Sequence, residues 1–259
     1  MQHLRNLYQF RDLLWLWTVR EVKVRYKQSV LGIAWAVLQP LALTVVFTVV
    51  FSRLVRVDTG GVPYPVFSYA ALVPWTLLAT SLSFGIPSLV NNMNLVTKIY
   101  FPREILPLAN IGAALLDFAV AAVIFVGMLL VYRVWPGVHV LWVVLLLGVQ
   151  LALTVGVTLF GSAVIVFFRD MRFVVPLVTQ VWMYATPIIY PLELVPERWQ
   201  AYYFLNPMAA IIDGYRRVLV MAEPPRWPAL GIAALVSVVI LLAGYAFFKY
   251  TEPLFADLI

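Results

Sequence analysis

Asp117 is the only acid well inside an otherwise uncharged apolar run, 107–132. A carboxylate in such a run is costly, and it pairs, lines a path or relays protons. All three roles stay open for Asp117: an ion pair with a basic group near the end of another helix, a place in a substrate path, or proton coupling. No second ionisable group lies buried beside it to complete an acid–base pair, so the chain is expected not to be an enzyme and to have no catalytic residues. The chain has no cysteine, which excludes disulfides, thiol nucleophiles and cysteine-held metals. His3 and His139 are its two histidines, too few for a multi-histidine metal site. Neither GxxxxGK[ST], GxGxxG nor HExxH occurs, and GGVPYP at 60–65 reads as a turn.

The other residues with chemical character are aromatic or amphipathic. Phe, Trp and Tyr make up 15% of the chain; half or more of these suit an interfacial belt, and the rest are open to a pore. Tyr64 and Trp75 fall in the outer part of one apolar run, and Trp182 and Tyr184 in another. Flat rings suit the C–H faces of sugars and hold them weakly enough to allow sliding. These four are channel candidates, although the sequence does not divide belt from pore. The 88–106 segment places Asn91, Asn92 and Asn94 at a helix start, followed by Leu95, Val96, Ile99, Tyr100 and Phe101. Such a helix is either a knob for a soluble partner or a loop lying on lipid.

The elements that position these residues are apolar runs. Of 259 residues, 63% are apolar and 12% charged, against about 25% charged in soluble domains. Runs at 31–51, 65–87, 107–132, 141–168, 173–192 and 227–248 predict six membrane-spanning helices. The fifth is broken by Pro176, Pro187 and Pro191, which is tolerable where neighbours satisfy the freed carbonyls. The 195–223 segment is too polar to span and predicts two short helices split at Asn206–Pro207. The fold class is therefore an all-α, six-span integral membrane bundle. The first run starts too deep for a signal peptide.

Residues 1–30 read as a cytoplasmic tail plus an amphipathic interfacial helix, and 31–259 as the membrane domain. Trp15, Val19, Val22 and Tyr26 share a helical face, with Arg20, Lys23 and Lys27 about a quarter turn away. Gln28 and Ser29 let the chain turn into the first span. Eleven basic residues flank one side of the runs and seven the other, which places both termini in the cytoplasm. The net charge of +6 suits anionic lipids rather than nucleic acid in so apolar a chain.

Five stretches together carry a family resemblance. They are REVKVRYKQSVLG with WAVLQP at 20–40, VPWTLLATSLSFGIPSLVNNMNLVTKIYFPREILPLA at 73–109 and FFRDMRFVVPLVTQVWMYATPIIYP at 167–191. LNPMAAIIDGYRRVL at 205–219 and FFKYTEPLFADLI at the end complete the set. The chain resembles the permease subunits of ABC-2-type exporters of cell-surface polysaccharide, which serve O-antigen and teichoic acid.

The resemblance implies a homodimer in the bacterial inner membrane with two separate ABC ATPase subunits. ATP and Mg belong to those subunits, and this chain binds no cofactor or metal. The implied substrate is undecaprenyl-linked polysaccharide. A coupling helix toward the ATPase matches 91–101, giving Asn91, Asn92, Leu95, Lys98, Tyr100, Phe101, Arg103 and Glu104 as coupling candidates. The interfacial helix matches 10–27, with Trp15, Arg20, Lys23 and Tyr26. Outer gate helices match 196–205 and 207–220, adding Trp199 and Tyr203 to the gate candidates. Because the tail ends at Ile259, no fused glycan-binding or ATPase domain is expected. A drug or lipid exporter of the same type is the alternative, and a membrane assembly factor without transport is a third reading.

Overall fold

The computed structural model describes residues 10–98 and 101–255 and is helical throughout its regular elements. In chain order these are α1 (Arg11–Tyr26), α2 (Gly32–Leu54), α3 (Tyr64–Gly85), α4 (Ser88–Asn91) and α5 (Met93–Lys98). Then follow α6 (Ile105–Val131), α7 (Val138–Phe167), α8 (Met171–Tyr184), α9 (Glu197–Tyr203), α10 (Pro207–Leu219) and α11 (Trp227–Leu254). Among the described residues, α2, α3, α6, α7 and α11 are long and apolar enough to cross a membrane. The shortest, α3, has 22 residues, about 33 Å at the helical rise.

The fifth apolar run does not form one long helix. Its helix, α8, has 14 residues, about 21 Å, and ends at Tyr184. Pro187 and Pro191 supply no backbone donor, and the residue before a proline is steered away from the α region. The chain from Thr186 to Ile189 is instead irregular and buried. It leads through the exposed turn of α9 to α10, which is buried along most of its length. Asn206 caps α10, its side chain accepting from the Met208 N–H at 3.1 Å, and Pro207 occupies the first turn.

α3 is the central helix, with both faces covered by α2, α6, α7 and α10. Pro74 sits inside it, and Gln150 of α7 donates to the Pro74 carbonyl at 2.6 Å. α3 and α6 run antiparallel, since Tyr69 stacks on Phe125 while a side chain on Gly85 would meet the Pro107 carbonyl. α7 and α11 run parallel. Trp142 meets Trp227 at one end, with centroids 4.7 Å apart, and Phe160 meets Phe247 nearer the other, at 5.0 Å. Their backbones touch between these pairs. A Cβ on Gly244 would lie 2.2 Å from the Gly156 carbonyl oxygen, so only glycine fits. Small residues allowing backbone approach are the usual means of helix association in lipid.

α1 does not lie clear of the bundle. It packs along the first half of α6, with Thr18 against Gly112 and its last residues at Asp117. The packed face is Leu14, Thr18, Glu21 and Arg25, one residue away from the apolar stripe expected from spacing, and Trp15 points outward at 62% exposure. The chain then reverses through left-handed Gln28 and Gly32, where the Gly32 N–H donates to the Ser29 hydroxyl. Glycine takes a positive φ at no steric cost, whereas glutamine accepts it only under tertiary constraint.

Candidate functional site

At the end of the bundle that carries α4 and α5, three chain segments meet. Leu89, Val96, Leu106, Phe248 and Phe255 form a buried cluster, with Trp17 and Phe101 packed on its edge. Asn91, Met93, Asn94 and Lys98 are exposed around it, and Leu95 is half-buried. Tyr100 lies outside the described residues. Asn92 donates to the Ser88 carbonyl at 2.9 Å and accepts from Arg20 Nη1 at 3.4 Å, so α1 touches the segment directly. Arg20 also pairs with Glu21 and covers the Trp17 ring at 4.2 Å, while Lys23 stays exposed.

Two of the coupling candidates have a different place. Glu104 is 1% exposed and accepts from Lys249 Nζ at 2.7 Å. Lys249 also reaches Glu252 at 2.9 Å, and the Arg103 guanidinium donates to the Glu252 backbone carbonyl at 2.5 Å. A carboxylate enclosed and paired in this way presents nothing to an outside partner. Glu104 and Arg103 instead fasten the start of α6 to the end of α11.

Asp117 accepts from Arg25 and from the Tyr26 hydroxyl, the latter at 2.7 Å. Of the three roles open to it, the structural ion pair is the one with visible partners. Burial and the carboxylate contact push the Tyr26 phenol upward, so it stays protonated at neutral pH and remains a donor.

At the opposite end the aromatic candidates separate. Tyr64 and Trp75 are 4% and 3% exposed, enclosed by the protomer's own helices. The Tyr64 hydroxyl donates to the Ile189 carbonyl at 2.6 Å, and Trp75 meets Trp182 edge-on at 6.0 Å. These two rings are interior packing and offer no face to a polymer. Trp182 is half-buried and donates to Asn206 at 2.9 Å. Tyr184 and Trp199 are exposed, and Tyr203 bonds the Tyr190 hydroxyl. Burial, then that contact, raises the Tyr203 phenol.

The residue that organises this end is Arg216, which sequence reasoning counted only as an outer charge. It is 3% exposed and lies 3.6 Å over the Phe67 ring. Its guanidinium donates to the carbonyls of Phe67 at 3.2 Å, Ile188 at 2.6 Å and Tyr190 at 3.3 Å, and also to that of Pro187. The prolines remove the segment's own donors, and Arg216 supplies replacements. Asp213, one turn earlier on α10, pairs with Arg226 at 3.5 Å. Two prolines in an apolar run, with a pair of arginines in the segment that follows, were the available signal. Nothing in the spacing told which arginine of Arg216 and Arg217 turned inward.

Among the described residues no group of three His, Asp or Glu could hold a metal ion. Residues 12–220 match the family described as ABC-2 type transporter. The chain is 30% identical over 255 residues to a protein of Myxococcus xanthus named O-antigen export system permease protein RfbA, covering 98% of this chain and 97% of the relative. A Klebsiella pneumoniae protein of the same name matches equally, at 30% with the same coverage. The polysialic acid transport protein KpsM of Escherichia coli is 22% identical over 241 residues, covering 90% and 91%.

Proposed function

We infer the action of this chain from the premise that it belongs to the ABC-2 type transporter family. It is the membrane-spanning subunit of an ATP-driven exporter that moves lipid-linked, O-antigen-like polysaccharide from the cytoplasm to the outer face. The observation that carries this is similarity along 98% of the chain to permeases named for O-antigen export. Two copies form the channel in the bacterial inner membrane, and two ATPase subunits bind ATP and Mg. The polysaccharide is undecaprenyl-linked.

The chain crosses six times with both termini in the cytoplasm. Because α7 and α11 are parallel, the chain between them must return to the end where α11 starts. α8 with the irregular 185–191 segment is the fifth crossing, and Arg216 makes its broken backbone tolerable in lipid. The ATPase docks on the exposed side of Asn91, Asn92, Leu95 and Lys98 together with α1. Arg103 and Glu104 position that surface from inside. Tyr184, Trp199 and Tyr203 are the gate aromatics, with Trp182 behind them.

The test is deletion of the permease followed by tracking of lipid-linked glycan across the inner membrane. Accumulation of glycan on the cytoplasmic side is expected, with return of export on complementation. Unchanged export, with a loss of drug resistance instead, overturns the reading.

A further inference from the structure

A second polar feature lies deeper, between α1, α2, α3 and α6. A cavity of about 210 Å³ is lined by Arg25, Gln39, Thr76, Thr80, Phe84 and Asp117. The Arg25 guanidinium is fixed there by its ion pair to Asp117 and by the Phe84 ring, 4.3 Å from its centre. Its Nη2 is buried and meets no acceptor. A buried donor without a partner is a cost that a ligand oxygen would remove.

The rim of the cavity is mixed, with the exposed rings of Trp35 and Phe84 beside polar side chains. Gln39 and Ser83 are exposed, and Thr76 and Thr80 are half-buried. Thr76, Thr80 and Ser83 follow 4, 3 spacing and so share one stripe of α3. Serine and threonine can return a hydroxyl to their own helix, as Thr76 does to the Val73 carbonyl at 2.8 Å. The Gln39 amide carries donors and an acceptor that are costly to leave unpaired in lipid. A ligand with both hydroxyls and apolar C–H faces suits such a mixed rim. The charge of Asp117 balances that of Arg25, leaving no surplus cation for a phosphate. Hydroxyls are the complementary chemistry, and the Trp35 and Phe84 rings supply flat apolar walls.

We propose that this cavity is a subsite for one neutral sugar ring, with Arg25 Nη2 and the Gln39 amide on its hydroxyls and Phe84 or Trp35 on its C–H face. The proposal rests on reading the chain as a polysaccharide exporter and adds where the polymer is first held. At about 210 Å³ the cavity has room for one ring.

The experiment uses the permease–ATPase complex in nanodiscs, probed with the methyl glycosides of glucose, galactose, mannose and rhamnose by saturation-transfer NMR. At least one glycoside is expected to receive saturation, falling about fivefold or more in Arg25→Lys, which keeps a cation for Asp117, and in Gln39→Leu. Thr80→Val serves where Arg25→Lys fails to assemble. Leu235→Ala, on the exposed side of α11, is expected to change nothing. With the natural lipid-linked glycan, the concentration giving half-maximal ATPase stimulation is expected to rise about tenfold in Gln39→Leu, the factor of one lost hydrogen bond. No saturation in the wild-type complex, or signals unchanged in every cavity variant, overturns the subsite. So does binding of inorganic diphosphate at the cavity with no glycoside binding. If export still fails on deletion while no glycoside binds, the exporter reading stands and only the subsite falls.

Discussion

Arg216 holds three backbone carbonyls of a proline-broken segment and a fourth on α3, so its replacement has a defined consequence. Arg216→Leu leaves those acceptors buried without donors and should cost about 3–5 kcal/mol of stability. Arg216→Lys keeps the charge but not the fork and should recover only part. Thermal unfolding of the purified complex checks both, and equal stability of Arg216→Leu and wild type would sink the clamp. The aromatic residues divide by burial. Trp75→Ala should lower the yield of folded protein, as large core truncations do. Tyr184→Ala with Trp199→Ala should leave yield intact and slow export per complex. At this scale the sequence marked Asp117 as needing a partner but could not name Arg25, 92 positions away. It assigned Tyr64 and Trp75 to a channel because ring type is legible and ring orientation on an all-apolar helix is not.

The long helices were legible, and their faces were not. Five of the six apolar runs became helices long and apolar enough to cross a membrane, each starting within three residues of its run, because length and absence of charge are properties of sequence. The fifth run and the 195–223 segment exchange support through Arg216, a tertiary relation that periodicity does not record. α1 packs a face one residue away from its apolar stripe, because Thr18 fits at Gly112 and Arg25 reaches Asp117. Helix contact also yields a paired prediction. Gly244→Val should force α7 and α11 apart and cost about 1–3 kcal/mol, since the added carbons meet the Gly156 backbone. Gly231→Ala, on the same helix with nothing within 4 Å, should be neutral or slightly stabilising. Denaturation midpoints of the two variants decide it, and a tolerated Gly244→Val would contradict the close crossing.

For the whole molecule, orientation and coupling are the measurable properties. A chain without cysteine is suited to single-site labelling. Thr59→Cys should react with an impermeant thiol reagent added outside intact spheroplasts, and reaction only after the cytoplasm is opened would invert the topology. Met93 is 38% exposed beside the apolar cluster of Leu89, Val96 and Phe248. Met93→Asp should weaken copurification of the ATPase at least several-fold without loss of membrane insertion, because interface cores exclude charge. Full copurification with substrate-responsive hydrolysis would place the docking surface elsewhere.

The Glu104–Lys249–Glu252–Arg103 contacts have a mechanical meaning for such a machine. They close the end of the bundle that carries α4 and α5 into a hoop: α1 is hooked through Arg20 to Asn92, between α4 and α5, and the start of α6 is hooked to the end of α11. A hoop cannot be pulled at one point without loading its whole circumference. A push on α5 therefore reaches α11 through a few side chains rather than along the intervening chain of α6 to α10. Cutting the hoop at Lys249 should leave a transporter whose ATPase still turns over and whose far end no longer answers.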